Sequence, residues 1–321
     1  RFNQDFGTLE FFDGANWKTV NSYNRPGGGG RGVYGGGGGS PTPASSIIQY
    51  VNIATTGNAL EFGELITTRK YLRGCASSTR GIFGAGGPES NVLEYITIAS
   101  SGNGIDFGDL TGNALAGAML SSSTRGITHQ STNPTTNVIS YIEISTVGDA
   151  VDFGDMVFGV RHGSSFASPT RGVFAGGYRN PQGKNYSEFQ SITIASKGNA
   201  VNFGSLAVVR RGQGGFSNSI RGIQGGGISN TIVTSIESLT IASGGDAVDF
   251  GNLTLGRRVE GGGGVVSQTR GVFAGGYSPA DTNVMDFITI ATGGNAQDFG
   301  DLNYLGMVGG LSDSHGGLGG F

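Results

Sequence analysis

A repeat of about 45 to 50 residues runs through most of the chain and restricts the folds open to it. The string TRGVFAGGY occurs at 170–178 and again at 269–277. Its arginine recurs at Arg31, Arg80, Arg125, Arg171, Arg221 and Arg270. A second marker, Phe-Gly, keeps step with it at Phe62, Phe107, Phe153, Phe203, Phe250 and Phe299. A fixed period of this length is typical of supersecondary units that bury their apolar faces against one another.

Each unit is predicted to contain four short strands. A run rich in glycine and serine, such as GQGGFSNS (212–219), forms strand 1, and a turn carrying Thr-Arg-Gly leads into strand 2, such as GVFAGG (172–177). After a loop of variable length, YITIAS (95–100) alternates apolar and polar residues as a half-buried strand 3 should. A Gly-Asn or Gly-Asp pair follows in every unit and favours a hairpin turn, so AVDFGDM (150–156) folds back as strand 4.

Four-stranded antiparallel units without helical periodicity predict an all-β fold, the β-propeller, and the competing β-solenoid uses about half this period. Six full units cover about residues 21–302. We expect the tail, 303–321, to form strands 1 and 2 of one more blade, with His315 at the arginine position. The N-terminal hairpin, 1–20, would complete that blade. The prediction is a single domain, 1–321, folded as a seven-bladed β-propeller of four-stranded antiparallel blades whose last blade joins the two chain ends.

The repeated residues are interpreted as parts of this scaffold. Small residues in strand 2 allow close approach near the axis, and the phenylalanines fill the wedges between blades. The arginines are expected to bridge backbone carbonyls or the carboxylates that flank Phe-Gly, and the alternative is a ring of anion sites. The repeated Asp-Phe-Gly-Asp also suggests a catalytic dyad. However, residues three apart on a strand face opposite ways, so the structural interpretation is preferred.

Composition excludes several function classes. The net charge of −3 gives no basic footprint for nucleic acid or an anionic membrane. Cys75 is the single cysteine, and His129, His162 and His315 lie in different units, so no metal site is expected. No stretch approaches 18 consecutive apolar residues, so we expect no membrane insertion. The sequence shows no catalytic constellation, and we predict neither enzymatic activity nor a cofactor.

The Gly-Gly that ends strand 2, the pattern of strand 3 and the aromatic residue of strand 4 resemble kelch repeats. In kelch repeats a tyrosine and a later tryptophan fill the blade interface. The resemblance gives the tyrosine role to Tyr50, Tyr95, Tyr141 and Phe287, and the tryptophan role to the phenylalanine of Phe-Gly. The missing tryptophan and the Thr-Arg-Gly turn depart from the kelch pattern, so the group is a divergent one.

TRGVFAGGY and ITIASxGNAxDFGDL are also similar to repeat modules in virion proteins of tailed phages, especially marine and cyanobacterial ones. The head, RFNQDFGTLEFFDGANWKTV (1–20), resembles a short segment common in phage fibre and tail proteins. The resemblance implies localisation on the surface of the virion, in a fibre or tail module that contacts other virion proteins and the host. It implies no particular site residues.

Function is expected on one face of the propeller. We call the face that carries the strand 2–3 loops and the strand 4–1 connectors the variable face, because these segments differ between units, and the opposite face the constant face. Specific recognition is commonly built on variable loops of a rigid scaffold, with Tyr and Arg as anchors. The candidate binding residues are Arg69, Tyr71, His129, Arg161, His162, Tyr178, Arg179, Tyr186 and Tyr277.

Two hypotheses follow for the protein as a whole. One is a receptor-binding adhesin that recognises a host surface glycan or protein. The other is a purely structural capsid or tail decoration or spacer protein. An enzyme ranks third, because propellers can host catalytic sites but no constellation is visible here.

Overall fold

The computed structural model describes residues 30–39, 41–180, 182–260 and 262–319, together with three short strands nearer the N-terminus. Those three form a sheet of their own: β1 (Phe2–Asn3), β2 (Thr8–Phe12) and β3 (Trp17–Val20). Blade 1 receives three strands from the first repeat: β4 (Arg31–Gly35), β5 (Ser45–Asn52) and β6 (Leu60–Arg69).

The next five blades are contiguous in sequence. Blade 2 contains β7 (Arg73–Ala76), β8 (Arg80–Gly84), β9 (Ser90–Thr97) and β10 (Ile105–Ala114). Blade 3 contains β11 (Ala118–Ser121), β12 (Arg125–His129), β13 (Val138–Glu143) and β14 (Val151–Asp155). Blade 4 contains β15 (Ser164–Ala167), β16 (Arg171–Arg179), β17 (Lys184–Thr193) and β18 (Val201–Ser205). Blade 5 contains β19 (Gly214–Ser217), β20 (Arg221–Gly225), β21 (Ser235–Thr240) and β22 (Val248–Asn252). Blade 6 contains β23 (Gly264–Val266), β24 (Arg270–Tyr277), β25 (Asp281–Thr289) and β26 (Gln297–Asp301).

The chain returns to blade 1 with β27 (Gly309–Ser312), which is followed by a 3-10 helix, Gly316–Leu318. The six four-stranded sheets are antiparallel throughout, with β27 as the innermost strand of blade 1. The innermost strands contact one another in the order β27, β7, β11, β15, β19, β23, and β23 contacts β27. The fold is therefore an all-β propeller of four-stranded blades, as predicted, but the described residues form six blades and the prediction of seven is wrong.

The way in which the ring closes explains why the structure has six blades and not the seven predicted from the sequence. Ser312 of β27 pairs with Gly32 of β4, and the Asp313 Oδ1 then accepts a hydrogen bond from the Arg31 N–H at 2.9 Å. Within blade 2 the Ser77 Oγ accepts the same bond from the Arg80 N–H at 3.0 Å. The tail thus supplies strand 1 to the first repeat, and its described part, up to residue 319, contains no strand 2 of its own. The predicted N-terminal hairpin exists as β2 paired with β3, but it belongs to the separate three-stranded sheet and completes no blade.

The repeated arginines tie each blade to the next on the constant face. The Arg80 Nη1 donates to the carbonyl oxygens of Ile144 and Ser145 in blade 3, at 2.9 and 3.0 Å. Its guanidinium also lies over the Tyr95 ring of its own blade, 4.5 Å from the ring centroid. Equivalent bonds join Arg31 to Ile98, Arg125 to Ile194, Arg171 to Ile241, Arg221 to Ile290 and Arg270 to Ile53. Because these guanidinium donors are used between blades, the bonds support a structural role rather than a ring of anion sites.

The Gly-Asn pairs form a second set of links between blades. The Gly198 N–H donates to the Phe153 carbonyl at 2.9 Å, and the Asn199 Oδ1 accepts from the Asp155 N–H at 3.0 Å. A Cβ on Gly154 would lie 2.5 Å from the Gly198 carbonyl oxygen, and its φ is +147°, so this position requires glycine. The connection between β17 and β18 spans 194–200 rather than the tight hairpin turn expected from the sequence. The Gly-Asn pair therefore serves the blade interface more than the turn.

The apolar core lies in the six wedges between neighbouring blades. Between blades 3 and 4, Phe153 is 2 % exposed and packs with Ile139, Phe174 and Ile192. Burying such a phenylalanine contributes about 2–3 kcal/mol to stability. Five of the six Phe-Gly phenylalanines are buried and Phe203 is half-buried, and all six pack in the apolar clusters between blades.

Candidate functional site

On the variable face, the connectors between blades meet around the propeller axis. The His162 N–H donates to the Ala116 carbonyl at 2.9 Å, the Gly212 N–H to the His162 carbonyl at 2.7 Å, and the Glu260 N–H to the Gly212 carbonyl at 2.9 Å. The Arg73 Nη1 then donates to the Glu260 carbonyl at 3.0 Å. Four connectors are thereby joined into a rigid rim at the axial mouth.

The tips of these connectors carry polar side chains in a strained backbone conformation. Tyr71, His162 and Glu260 have φ of 59°, 58° and 59°, in the left-handed region that non-glycine residues rarely adopt. The Tyr71 and His162 rings are edge to face with centroids 6.1 Å apart, and the His162 Nδ1 lies 2.7 Å from the Glu260 Oε2. Strain of this kind is commonly found at functional sites.

Glu260 is the buried centre of this cluster. Burial alone would raise the pKa of its carboxyl group, but His162, Arg258 and Arg73 together hold that pKa well below its usual range. The Glu260 carboxylate is paired with the Arg258 guanidinium as well as with His162. Glu260 is therefore ionised, and its carboxylate oxygens are paired with His162 and Arg258.

Basic side chains occupy the same connector position in four of the six blade junctions. Lys70, Arg161, Arg211 and Arg258 each lie eight residues after the phenylalanine of Phe-Gly. Their backbones form isolated bridges to the ends of strand 2 in blades 2, 4, 5 and 6. The Tyr178 ring lies between two of them, 5.3 Å from the Arg161 guanidinium and 4.5 Å from that of Arg211. We call Lys70, Arg161, Tyr178, Arg211 and the Tyr71–His162–Glu260–Arg258 cluster the axial site.

A long hairpin of blade 4 separates the axial site from a second one. Tyr178 pairs with Asn185, and Arg179 pairs with Lys184 next to Tyr186. Because side chains alternate along a strand, Tyr178 and Asn185 face blade 5 while Arg179 and Tyr186 face blade 3. The sequence analysis placed Tyr178, Arg179 and Tyr186 together on one binding face, whereas the structure assigns them to two sites.

The second site, which we call the peripheral pocket, lies between the loops of blades 3 and 4. It has a volume of about 280 Å³, and its lining includes Thr135, Asn137, Phe158, Arg179 and Asn180. The Arg179 guanidinium lies 5.4 Å from the Phe158 ring centroid, and the rings of Phe158 and Tyr186 are 5.2 Å apart. The pocket thus combines an aromatic wall with amide, hydroxyl and guanidinium groups.

Tyr277 and Asp281 form the edge of the axial mouth at blade 6. Tyr277 pairs with Asp281 across the strand ends and exchanges backbone hydrogen bonds with Arg258. Both Asp281 carboxylate oxygens are buried and have no hydrogen-bond partner in the described structure. Burial raises the pKa of Tyr71, and the negative charges of Glu260 and Asp281 raise it further. Tyr277 is half-buried and contributes mainly backbone contacts.

Arg69 and His129 lie inside the protein and not on the variable face. Arg69 is 1 % exposed and forms an ion pair with Glu94 of blade 2. His129 is also 1 % exposed, and its Nε2 lies 3.1 Å from the Thr136 carbonyl. Their sequence context was misleading because both directly precede polar loop residues. They are interior residues, and the proposal of surface binding does not apply to them.

The buried histidine predicts an acid-sensitive stability. Burial lowers the pKa of His129 from 6.5 to about 4. In the unfolded chain this histidine binds a proton below about pH 6.5, whereas in the native state it stays neutral down to about pH 4. The free energy of unfolding therefore keeps its full value above about pH 6.5 and falls as the pH drops from about 6.5 to about 4. The expected loss is up to about 3 kcal/mol. His129→Gln keeps a donor toward Thr136 and should reduce the pH dependence of urea unfolding between pH 7.5 and 4.5. His315, whose pKa is also lowered by burial, accounts for the dependence that is left. Parallel profiles for both proteins would contradict the interpretation.

A narrow channel follows the axis beneath the axial site. Its cavity is about 70 Å³ and is lined by the innermost strands, including Cys75, Ser121 and Ser217. At the constant-face end the His315 Nε2 lies 2.7 Å from the Ala76 carbonyl. His315 was expected to replace the repeated arginine of a seventh blade, but it lines this channel and caps the 3-10 helix instead.

Several site residues were not singled out from the sequence. Arg211, Arg258, Glu260 and Phe158 lie in the connectors, where no motif marks them. The position eight residues after each Phe-Gly phenylalanine would have identified both arginines. Glu260 and Phe158 had no such signal, because their partners belong to other blades.

The described part of the chain contains no cluster of three or more His, Cys, Asp or Glu side chains placed to hold a metal ion. It also contains no helix long and apolar enough to cross a bilayer. No protein-family model and no curated protein matches the chain. What the protein does therefore has to be inferred from the two sites on its variable face.

Proposed function

We propose that the chain is a non-enzymatic recognition module that binds a host surface glycan or protein through its variable face. The observation that carries the proposal is the peripheral pocket, where Arg179 lies against the Phe158 and Tyr186 rings. Aromatic and arginine side chains are the usual anchors of recognition surfaces. The volume of the peripheral pocket is close to the lower end of the roughly 300–1,000 Å³ typical of small-molecule sites. A pocket of this size suits one sugar unit of a larger glycan.

The chemistry of the pocket favours carbohydrate among these ligands. The half-buried Phe158 ring can stack on the apolar face of a pyranose, and Asn137, Asn180 and Arg179 can hydrogen bond to its hydroxyls. The pocket floor is rigid, because the Thr135 hydroxyl donates to the Asn180 carbonyl at 2.7 Å and the Asn180 side chain donates to Asn133. A preformed pocket reduces the entropic cost of binding.

We further propose that the protein is a virion surface component of a tailed phage, a fibre or tail-associated adhesin of the kelch-like group. The support is the similarity of its repeat strings and of residues 1–20 to segments of such proteins. A purely structural decoration or spacer protein is the alternative, and it predicts no affinity for cells.

Phe158→Ala and Arg179→Ala are each expected to weaken binding to host envelope glycans at least tenfold, because each removes an anchor from the pocket. Binding can be measured on arrayed envelope glycans and on whole cells. Ile220→Ala is the matched control, since Ile220 is 64 % exposed beside a constant-face turn. Equal binding by all four proteins, or no binding by any of them, would instead favour the structural alternative.

A further inference from the structure

The axial site concentrates positive charge in a protein whose net charge is −3. Arg161 and Arg211 both contact the Tyr178 ring, so two like charges are held as neighbours by cation–π contacts. The Arg211 Nη1 donates to the neutral Asn185 Oδ1 at 3.2 Å. The Lys70 Nζ donates to the Gly39 carbonyl at 3.2 Å. Across the described residues, none of these three cations forms an ion pair with a carboxylate.

The nearby carboxylates leave the charges of Arg161 and Arg211 uncompensated. Glu260 is paired with His162 and Arg258, and it also faces Arg73. Asp281 lies toward blades 6 and 1, next to Gly39 and Met307, whereas Arg161 and Arg211 belong to the junctions of blades 3 to 5. The excess of positive charge is thus greatest around Tyr178.

Unsatisfied donors accompany the charge. Arg73, directly beneath the rim, is 1 % exposed, and its Nη2 has no hydrogen-bond partner among the described residues. The Nε of Arg161 is also buried and has no acceptor in the part of the chain that the structure describes. Buried donors are normally satisfied, and those that are not commonly mark a place where a water, an ion or a ligand group completes the bonding.

We propose that the axial site is an anion site that takes a sugar carboxylate, such as that of a uronic acid, from the ligand. The inference rests on the proposed function and adds a second, acidic subsite to the peripheral pocket. Guanidinium groups present paired donors that match the two oxygens of a carboxylate. Tyr178 fixes both guanidinium groups in advance, which lowers the cost of ordering them on binding.

The test compares trigalacturonate with its methyl ester, which has the same shape without the charges. Titration calorimetry at fixed ionic strength is expected to show at least tenfold tighter binding of the acid to the full chain. Arg161→Gln combined with Arg211→Gln should abolish this preference. Lys197→Gln removes a positive charge from the constant face and should leave it unchanged. Asp281→Asn should strengthen binding of the acid, because it removes a competing negative charge at the mouth.

Equal binding of acid and ester, a preference that survives the double substitution, or no binding of either oligosaccharide would overturn the anion site. Thermal unfolding of each variant shows whether the fold is retained, and Arg161→Gln alone, which breaks no hydrogen bond in the described structure, provides a second variant for the same measurement. The proposed function is judged separately, because neutral glycan binding that depends on Phe158 and Arg179 does not require the axial site.

Discussion

Replacing Asp286 with alanine is expected to lower the free energy of unfolding by about 3–5 kcal/mol, because the Arg257 guanidinium would be left buried without its counter-ion. Both side chains are fully buried, and the Arg257 Nη1 lies 2.6 Å from the Asp286 Oδ2. The remaining Arg257 donors reach only carbonyl oxygens, such as that of Gly275 at 2.8 Å. Urea unfolding at pH 7.5 measures the loss.

Other blade junctions of the same chain suggest a second substitution that should restore the stability lost in Asp286→Ala. At three blade junctions the seventh residue after the Phe-Gly phenylalanine is an arginine. At each of these junctions the arginine is paired with an acidic residue of strand 3 in the next blade: Arg69 with Glu94, Arg210 with Glu237, and Arg257 with Asp286. At the other three junctions both positions are neutral: Ala114 with Ser140, Val160 with Gln190, and Gly306 with Gln49.

The double variant Arg257→Val with Asp286→Gln places the valine and glutamine of the blade 3–4 junction at the blade 5–6 junction. It should recover at least half of the free energy of unfolding that Asp286→Ala loses. The reason is that the Gln190 amide bonds the Phe158 backbone at 3.1 and 3.3 Å, and the same bonds would be open to glutamine at 286. A buried ion pair can be replaced at little cost when both charges are removed together. If the double variant were as unstable as Asp286→Ala, the pairing would not be the source of the loss.

Deleting residues 306–321 is expected to abolish cooperative unfolding altogether. The deletion removes β27, the innermost strand of blade 1, together with the buried side chains of Met307, Val308 and Leu311. It also exposes the edge of β4 and opens the ring between blades 6 and 2. Typical domains are stable by about 5–15 kcal/mol, and the loss of a whole strand from a closed ring consumes that margin. Circular dichroism during heating measures the transition.

The matched deletion removes residues 1–29. Since all four strands of blade 1 lie outside that segment, the melting transition of the propeller is expected to be retained. The pair of deletions distinguishes closure by β27 from the closure by both chain ends that the sequence predicted. Normal melting of the chain ending at residue 305 would contradict the closure described here.

Local signals in the sequence predicted the blades well. Alternating apolar residues and the period of the arginine and phenylalanine markers identify strands because each blade folds from contiguous residues. The candidate site was predicted less well: Tyr71, Arg161, His162 and Tyr178 do meet at the axial mouth, while Arg179 and Tyr186 belong to the peripheral pocket. Arg69 and His129 are buried, which no local pattern indicated.

The sequence by itself determined the all-β propeller class, the position of the blade-filling phenylalanines and the face on which the segments vary. These follow from periodicity and from residue types within single repeats. The tertiary structure decided the blade number, because Asp313 and Arg31 meet only when the ring closes. It also decided which side chains share a site, since Glu260 meets His162, and Arg211 meets Tyr178, only across blades that lie far apart in the chain.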